Sequence, residues 1–530
     1  MLTGGDMHWD LTNSKYEVPK NSGKHTVFAS AFWIGGMDAS GQLHVAAQTY
    51  RQTGMDFWPG PIDGISLPFD TTSCTHFNKI WKISKWEVEM FKNQFSLGNV
   101  TNGIYTVPNY FLSWPAKGNN NVTEEKAPYI DFNNDGLYNP FDGDYPLIKG
   151  DQMLFWMFND SLAPHSASDG PNMGVEVHAS AYAYACPSIA DSNAVLNTTT
   201  LYHYKILNRS LTDYSNVYLG LWCDTDLGYN TDDYIGCDTT LAAGFVYNSD
   251  NDDHGAYGLN PPMQNVVVLK GPLADQGDGL DNDLDGTIDE TGERTTMNHF
   301  HSYWGVGIFE NPYSDNDHYK YMTSFWLDSS HVTYGAWGGY NGTVPSNFIY
   351  SGTPYDSGWS ETSIQSFPDD RLILLSSGPV TLLAGDTLEL DFAYVFTRDS
   401  INPNGLTTSV ARNKADLQRI HSWFDNDSFP SCIQYVTSDG PDIRSSSDMF
   451  MVYPNPAGET IYLDFDASQL VYQCEITIYN LEGQPIKHNR INNYNIPIDI
   501  QDLPSGIFFV ELKLAGKKMY TKFAKIGNVN

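Results

Sequence analysis

Hydrophobic residues recur at every second position far more often along this chain than at helical spacing, and no other feature constrains its fold as tightly. In the stretch MGVEVHASAYAYA, Val175, Val177, Ala179, Ala181 and Ala183 fall on one side of an extended strand, because successive strand side chains point to opposite faces. The same alternation marks TVFASAFWIGG, QLHVAAQTY, QMLFWMFN, TLYHYKILN, NVYLGLW, RLILLS and TLELDFAYVFT, each bounded by Gly, Asn, Asp or Pro. Those boundary residues supply the turns between strands. Helical spacing is rarer. Two segments read as helices, Lys79 to Phe95 and Leu406 to Trp423, the first with Ile80, Ile83 and Val88 on one face and the second with Val410, Leu417 and Ile420. The pattern predicts a mainly β, multi-domain β-sandwich protein with few short helices.

A chain of 530 residues exceeds what one core usually supports, so two to four domains are expected. Residues 437–448, TSDGPDIRSSSD, are polar and without periodicity, which makes them a linker. The expected division is a β-rich region over 1–436, read as two packed β-sandwich domains, then the linker, then a compact module over 449–530. A net charge of −34 repels phosphate backbones and anionic membrane surfaces, so nucleic acid is excluded as a partner. The same excess also keeps an extracellular protein soluble. No apolar run reaches the 18 residues of a spanning helix. The first ten residues lack the basic and apolar regions of a signal peptide, so any export signal at the N-terminus is expected to lie outside them.

Six cysteines, at 74, 186, 223, 237, 432 and 474, are too few for a disulfide scaffold and too scattered for a zinc site. Cys223 and Cys237 read as a pair, bracketing Asp224, Asp226, Asp232 and Asp233 in a polar loop that a bridge would stabilise by about 3 kcal/mol. Buried free thiols are the alternative.

The sharpest chemistry lies in two acidic loops. In the first, Asp131, Asn133 and Asp135 occupy positions 1, 3 and 5, Gly136 follows, Leu137 offers its carbonyl and Asp142 stands at position 12. Alternating oxygens with a glycine at position 6 suit a hard cation such as calcium. A bidentate Glu would complete an EF-hand. Asp142 and the strand-like flanks support the loop without the EF-hand. The second loop repeats the logic, with Asp281, Asp283, Asp285 and Asp289 as side-chain ligands, Thr287 as a carbonyl ligand and Glu290 or Glu293 as the last ligand. It resembles the aspartate-rich calcium repeats of thrombospondin-type and other extracellular proteins. A solvated cluster of Asx turns is the alternative for both loops.

After residue 448 the pattern tightens. MVYPNP, TIYLDF, CEITIYN, QPIKHN, IPIDI, GIFFVELKL and KMYTKFAKI are seven short strands in about eighty residues, the count of an immunoglobulin-like sandwich. Four pieces in order carry a resemblance: Tyr453-Pro454-Asn455-Pro456; Ile478-Tyr479-Asn480 with Gly483-Gln484; Leu503-Pro504-Ser505-Gly506 running into Ile507-Phe508-Phe509-Val510; and Lys522-Phe523-Ala524-Lys525. They resemble the type A C-terminal sorting domain of the type IX secretion system of Bacteroidota. The resemblance implies a secreted or outer-surface protein and a secretion machinery as partner. It also implies removal of the module at a cleavage point before Met449, with the cargo released or attached to surface lipopolysaccharide. An ordinary adhesive β-sandwich is the alternative. Upstream strings such as TYRQTGMDFWPGP and GDYPLIKGDQMLFWMFND are similar to large exported Bacteroidota proteins without an established activity.

No His-Glu-x-x-His, Gly-x-Ser-x-Gly or phosphate-binding loop is present. Asp160, His165, Glu176, His178 and His203 lie near predicted strands, where hydrogen-bonded packing is the ordinary role of such groups. Trp58, Trp114, Trp337 and Trp359 sit in loop-like stretches that could present rings to sugars or a protein neighbour. Pinning long loops to the cores of sandwiches is the ordinary role of such rings. The expectation is therefore a noncatalytic, calcium-stabilised protein of the cell surface or extracellular space. It would act in adhesion, surface assembly or glycan binding, with a surface polysaccharide or protein as partner and self-assembly open. A secreted polysaccharide-degrading glycoside hydrolase is the alternative.

Overall fold

The computed structural model describes residues 2–62, 77–119, 122, 124–186, 191–353, 358–402, 405–430, 451–453, 457–464, 474–480, 484–491, 497–514 and 517–525. The chain divides into two compact units, Met1–Val436 and Thr437–Asn530, and both are mainly β. The expected linker 437–448 lies outside the described residues.

In the first unit two large antiparallel sheets face each other. The smaller runs in the order Asp6–Met7, Ala29–Asp38, Tyr214–Thr225, Arg371–Leu382 and His299–Tyr303, with Leu43–Ala47 also paired to Ala29–Asp38. The larger follows Asp233–Asp238, Ala243–Asn248, Met263–Lys270, Thr387–Thr397, Thr199–Asn208, Val175–Ala183, Gln152–Asn159 and Trp58–Pro59, with Trp81–Ser84 also on Gln152–Asn159. The chain alternates between the sheets many times, so no point in the sequence separates one from the other. Their facing sides form one core in which Phe32, Trp222 and Leu374 of the smaller sheet meet Tyr204 and Phe392 of the larger. The Phe32 and Tyr204 rings meet edge to face at 5.6 Å.

Alternation sets which side chains enter that core. Val175, Val177, Ala179 and Ala181 lie in it, while Glu176, His178, Ser180 and Tyr182 point the other way. Those residues are buried too, because the outer side of the larger sheet carries a second core built from Trp81, Phe91, Trp114 and Phe155 and closed by Leu417 and Ile420. Period two alone predicts a solvated outer face. Here the long insertions between strands cover it.

Two helices contribute to that cover. One spans Lys85–Ser96 and begins at a capping box: Ser84 Oγ accepts from Glu87 N, and Glu87 returns a carboxylate to Ser84 N at 2.7 Å. Such reciprocal bonds satisfy two end groups that a helix leaves unpaired. The helix expected from Lys79 therefore starts later. Trp81 and Ile83 are buried and Lys82 is exposed, which is strand periodicity, and Trp81–Ser84 pairs with Gln152–Asn159. The other helix spans Gly405–Asp425 and buries Leu417 and Ile420, as the spacing predicts.

The second unit contains seven described strands in two sheets. Met451–Tyr453, Thr460–Asp464 and Ile498–Asp499 form one; Pro485–Ile491, Cys474–Tyr479, Gly506–Leu514 and Lys517–Lys525 form the other. Phe508, Val510 and Leu512 alternate into a core with Ile461, Ile476, Ile478 and Ile498, leaving Ile507 and Phe509 exposed.

Candidate functional site

The two acidic loops, 150 positions apart, repeat the same hydrogen bonds. In the first, Asp131 accepts from Asp135 N at 3.2 Å and from Gly136 N at 2.8 Å, Asn133 accepts from Asp135 N at 3.1 Å, and Asp135 accepts from Leu137 N at 2.8 Å. In the second, Asp281 accepts from Asp285 N at 3.1 Å and Gly286 N at 3.0 Å, Asp283 from Asp285 N at 3.1 Å, and Asp285 from Thr287 N at 2.8 Å. Gly136 and Gly286 have φ of 77° and 99°, the left-handed region that a side chain disfavours. In the first loop Asn133 Nδ2 also donates to Asp135 Oδ2 at 2.9 Å.

In the second loop one oxygen each of Asp281, Asp283 and Asp285 lies within 4.8 Å of the others, and Asp283 joins Glu290 and Glu293 in another such triplet. Glu290 Oε2 is shut off from solvent without a hydrogen-bond donor, while Glu293 is buried and accepts from Asn282 N. Burial, then the charges of Asp285, Glu293 and Asp281, push the Asp283 carboxyl up. An orphaned carboxylate oxygen among like charges, with only oxygen donors around it, fits a hard cation of the calcium type. Asp289 stands apart from both triplets and accepts from Gly279 N at 3.3 Å. Asp142 is likewise turned away in the first loop, exposed and holding Asn139 Nδ2 at 2.6 Å. The residue beneath that loop is Asp144, fully buried, which accepts from Phe132 N and Asn139 N at 2.8 Å each. A position-12 count stops two residues short of it.

A third acidic cluster was hidden in the sequence. Asp224 and Asp226, from the end of one strand and the loop after it, meet Asp370 within 4.8 Å. Tyr50 donates to Asp224, and Asp370 Oδ1 is buried without a partner. Burial, then the charge of Asp370, raises the Asp226 carboxyl to about 6.

Cys223 and Cys237 are free, buried thiols, correcting the expected bridge. Cys223 belongs to the smaller sheet and Cys237 to the larger, and Cys237 Sγ donates to Ile349 O at 3.7 Å. Pairing of Asp233–Asp238 with Ala243–Asn248 fixes the second strand independently of the first. Among the described residues, Cys186 is disulfide-bonded.

The other titratable groups singled out by sequence fall into two kinds. Asp160 clamps a bend by accepting from Met173 N, Gly174 N and Val175 N, and buried His165 contacts Val45 O and Asp160 O. Glu176 and His178, 2.6 Å apart, share a buried network with Lys126 and Arg209. These are structural contacts. His203 differs: it bonds Asp391 Oδ1 at 2.9 Å and keeps a 24% exposed side chain on the floor of a groove of about 1140 Å³. Trp114 and Trp359 are core residues and Trp58 is half-buried, which leaves Trp337, at 54% exposure, as the presented ring of the four.

In the second unit, Tyr453 ends the first strand, and Pro504 and Ser505 are exposed just before Gly506 opens the strand Gly506–Leu514. Gln484 closes a turn with Asn480 through bonds of 2.8 and 3.0 Å. Pro454, Asn455, Pro456 and Gly483 lie outside the described residues. Residues 451–526 match the family described as "Secretion system C-terminal sorting domain". This tail is a type IX secretion sorting domain. The sorting domain directs the chain to the cell surface or the extracellular space and implies contact with the secretion machinery. Among the described residues no helix is long and apolar enough to cross a membrane. No curated protein matches the chain. Among solved structures, a polysaccharide lyase aligns with 68% of this chain and 35% of its own length, at 10% identity and a TM-score of 0.19. The chain spans about a third of that protein, and a likeness so slight fixes neither fold nor activity.

Proposed function

We propose that this sorted protein is a noncatalytic component of the cell surface or extracellular space, serving adhesion, surface assembly or glycan binding, with loops stiffened by calcium. The terminal unit, with its two small sheets, reads as an immunoglobulin-like address on that cargo. One observation carries the calcium reading: two distant loops share the same four hydrogen bonds, and the second encloses an orphaned carboxylate oxygen. Asp131, Asn133 and Asp135 would hold one ion. Asp281, Asp283 and Asp285, with Glu290 or Glu293, would hold another. Bound calcium offsets the mutual repulsion of these carboxylates and fixes the loop ends. Extracellular sites of this type bind at about 10⁻⁴–10⁻³ M, so millimolar calcium fills them.

Thermal unfolding tests this. Ligand binding adds about 2.7 kcal/mol per site at about 100 Kd and about 1.4 kcal/mol at about 10 Kd, so the melting midpoint should rise by several degrees from chelator to 10 mM calcium. Asp283→Asn together with Asp285→Asn should remove part of that rise. A midpoint indifferent to calcium would count against both loops.

A second reading, a secreted polysaccharide hydrolase, is favoured by one observation: Glu389, Asp391 and His203 all line the groove, and paired carboxylates can cleave glycosides.

A further inference from the structure

We infer that the groove on the outer side of the larger sheet binds an uncharged oligosaccharide chain; this rests on the glycan-binding form of the function proposed above. Its floor comes from Thr199–Asn208 and Thr387–Thr397, where Asp391 pairs in register with His203 and Glu389 stands two positions before Asp391 on the same face. Both strands have neighbours on either side in the sheet. Their backbone groups are committed, so an incoming peptide finds no free edge to extend on the floor. Recognition there falls to side chains.

Those side chains suit a sugar. Tyr184 stacks on Phe429 at 4.7 Å and 16°, and Tyr182 stands edge-on to Tyr184 at 6.2 Å. Tyr184 and Phe429 are half-buried, and flat rings of this kind pack against the C–H faces of pyranoses while their surroundings bond the hydroxyls. The polar lining mixes signs. Lys270 and Arg294 face a groove also lined by Glu389, Asp425 and Asp427, and Lys149 Nζ lies 3.9 Å from Asp391 Oδ1. A polyanion or polycation would meet like charges along this lining. A neutral polyol instead finds donors and acceptors side by side, and can use both. The volume, about 1140 Å³, exceeds the roughly 300–1,000 Å³ typical of small-molecule sites, which accommodates several linked sugars.

The rim ties the groove to the acidic loops. Ile130 and Tyr145, from the hairpin that brackets the first loop, line one part, and Asp283 and Arg294, in and after the second, line another. Stiffening either loop therefore stiffens a wall of the groove.

The test is binding of the full chain, in millimolar calcium, to immobilised hexaoses of β-glucan, xylan, mannan and N-acetylglucosamine, beside a polyanionic oligosaccharide and a peptide library. Capture of at least one neutral hexaose is expected, weakened at least tenfold by Tyr184→Ala and also by Asp425→Asn with Asp427→Asn, the last two at exposed positions, with an unchanged melting curve of the double Asn variant as the check on its fold. Retention of the polyanion or of peptides alone overturns the proposal, as does neutral binding that both variants leave unchanged, or no binding at all. Cleavage of a captured hexaose keeps the groove assignment and overturns the noncatalytic reading, so the two fail separately. A calcium-dependent melting shift without hexaose binding leaves the loops standing and removes the groove.

Discussion

A chain cut after Val436 remains inside the cell, while the full chain reaches the surface or the medium. The expected effect is close to complete loss of the exported fraction, read by immunoblot of cell, outer-membrane and medium fractions. The reason is physical separation of tasks. Residues 451–526 form the sorting domain, its strands bury a core of their own around Ile476, Val510 and Leu512, and Met1–Val436 is a compact unit in its own right. Removing the tail therefore takes away the address without opening the cargo core. A melting curve of the shortened chain made in the cytosol separates failure to sort from failure to fold. Full export of the shortened chain would contradict the address role.

The second large effect is on stability. Glu176 is fully buried and accepts from Ile62 N at 2.7 Å, Lys126 Nζ at 2.8 Å and Arg209 Nη2 at 3.2 Å, with His178 Nε2 at 2.6 Å. Replacing it by Ala leaves Lys126 buried without its closest counter-charge, and breaking such a pair costs about 3–5 kcal/mol. The expected result is a fall of that order in urea unfolding. Burial alone would raise the Glu176 carboxyl, but the hydrogen bond from His178 and the charges of His178, Lys126 and Arg209 outweigh it and hold the group well below the usual carboxylate range. A carboxyl depressed in the folded state stabilises above its unfolded value of about 4.3 and loses that contribution as pH falls below it. The Ala variant should therefore lose less stability than the parent between pH 5 and pH 3. Equal acid sensitivity, or a cost under 1 kcal/mol, would show that the network contributes little.

How far the sequence announces this molecule depends on the range of the interaction. Strands are legible because alternation is local: Val175 to Ala181 read as one face, and they form one. The acidic loops are legible because their oxygens are spaced within a dozen residues. Asp224, Asp226 and Asp370 escape notice because 144 positions separate the last two, and only pairing of Tyr214–Thr225 with Arg371–Leu382 brings them together. The pairing of Cys223 with Cys237 failed for the converse reason. Closeness along the chain suggested contact, while the strands entered different sheets. Trp114 and Trp359 pin loops to the core, the ordinary role of such rings, and Gly, Pro and Ser surround them because turn residues also occur where a long loop folds back to plug a core. The groove pairs residues from five or more separate segments, so no local spacing could have marked it.

We propose above all that the carboxylate loops hold calcium outside the cell. Equilibrium dialysis of the full chain against millimolar labelled calcium tests it most directly. At least two bound ions per chain are predicted, with one lost on Asp131→Asn plus Asp135→Asn and another on Asp283→Asn plus Asp285→Asn. No calcium retained above the bulk concentration, or a count that neither pair of substitutions changes, would contradict the claim.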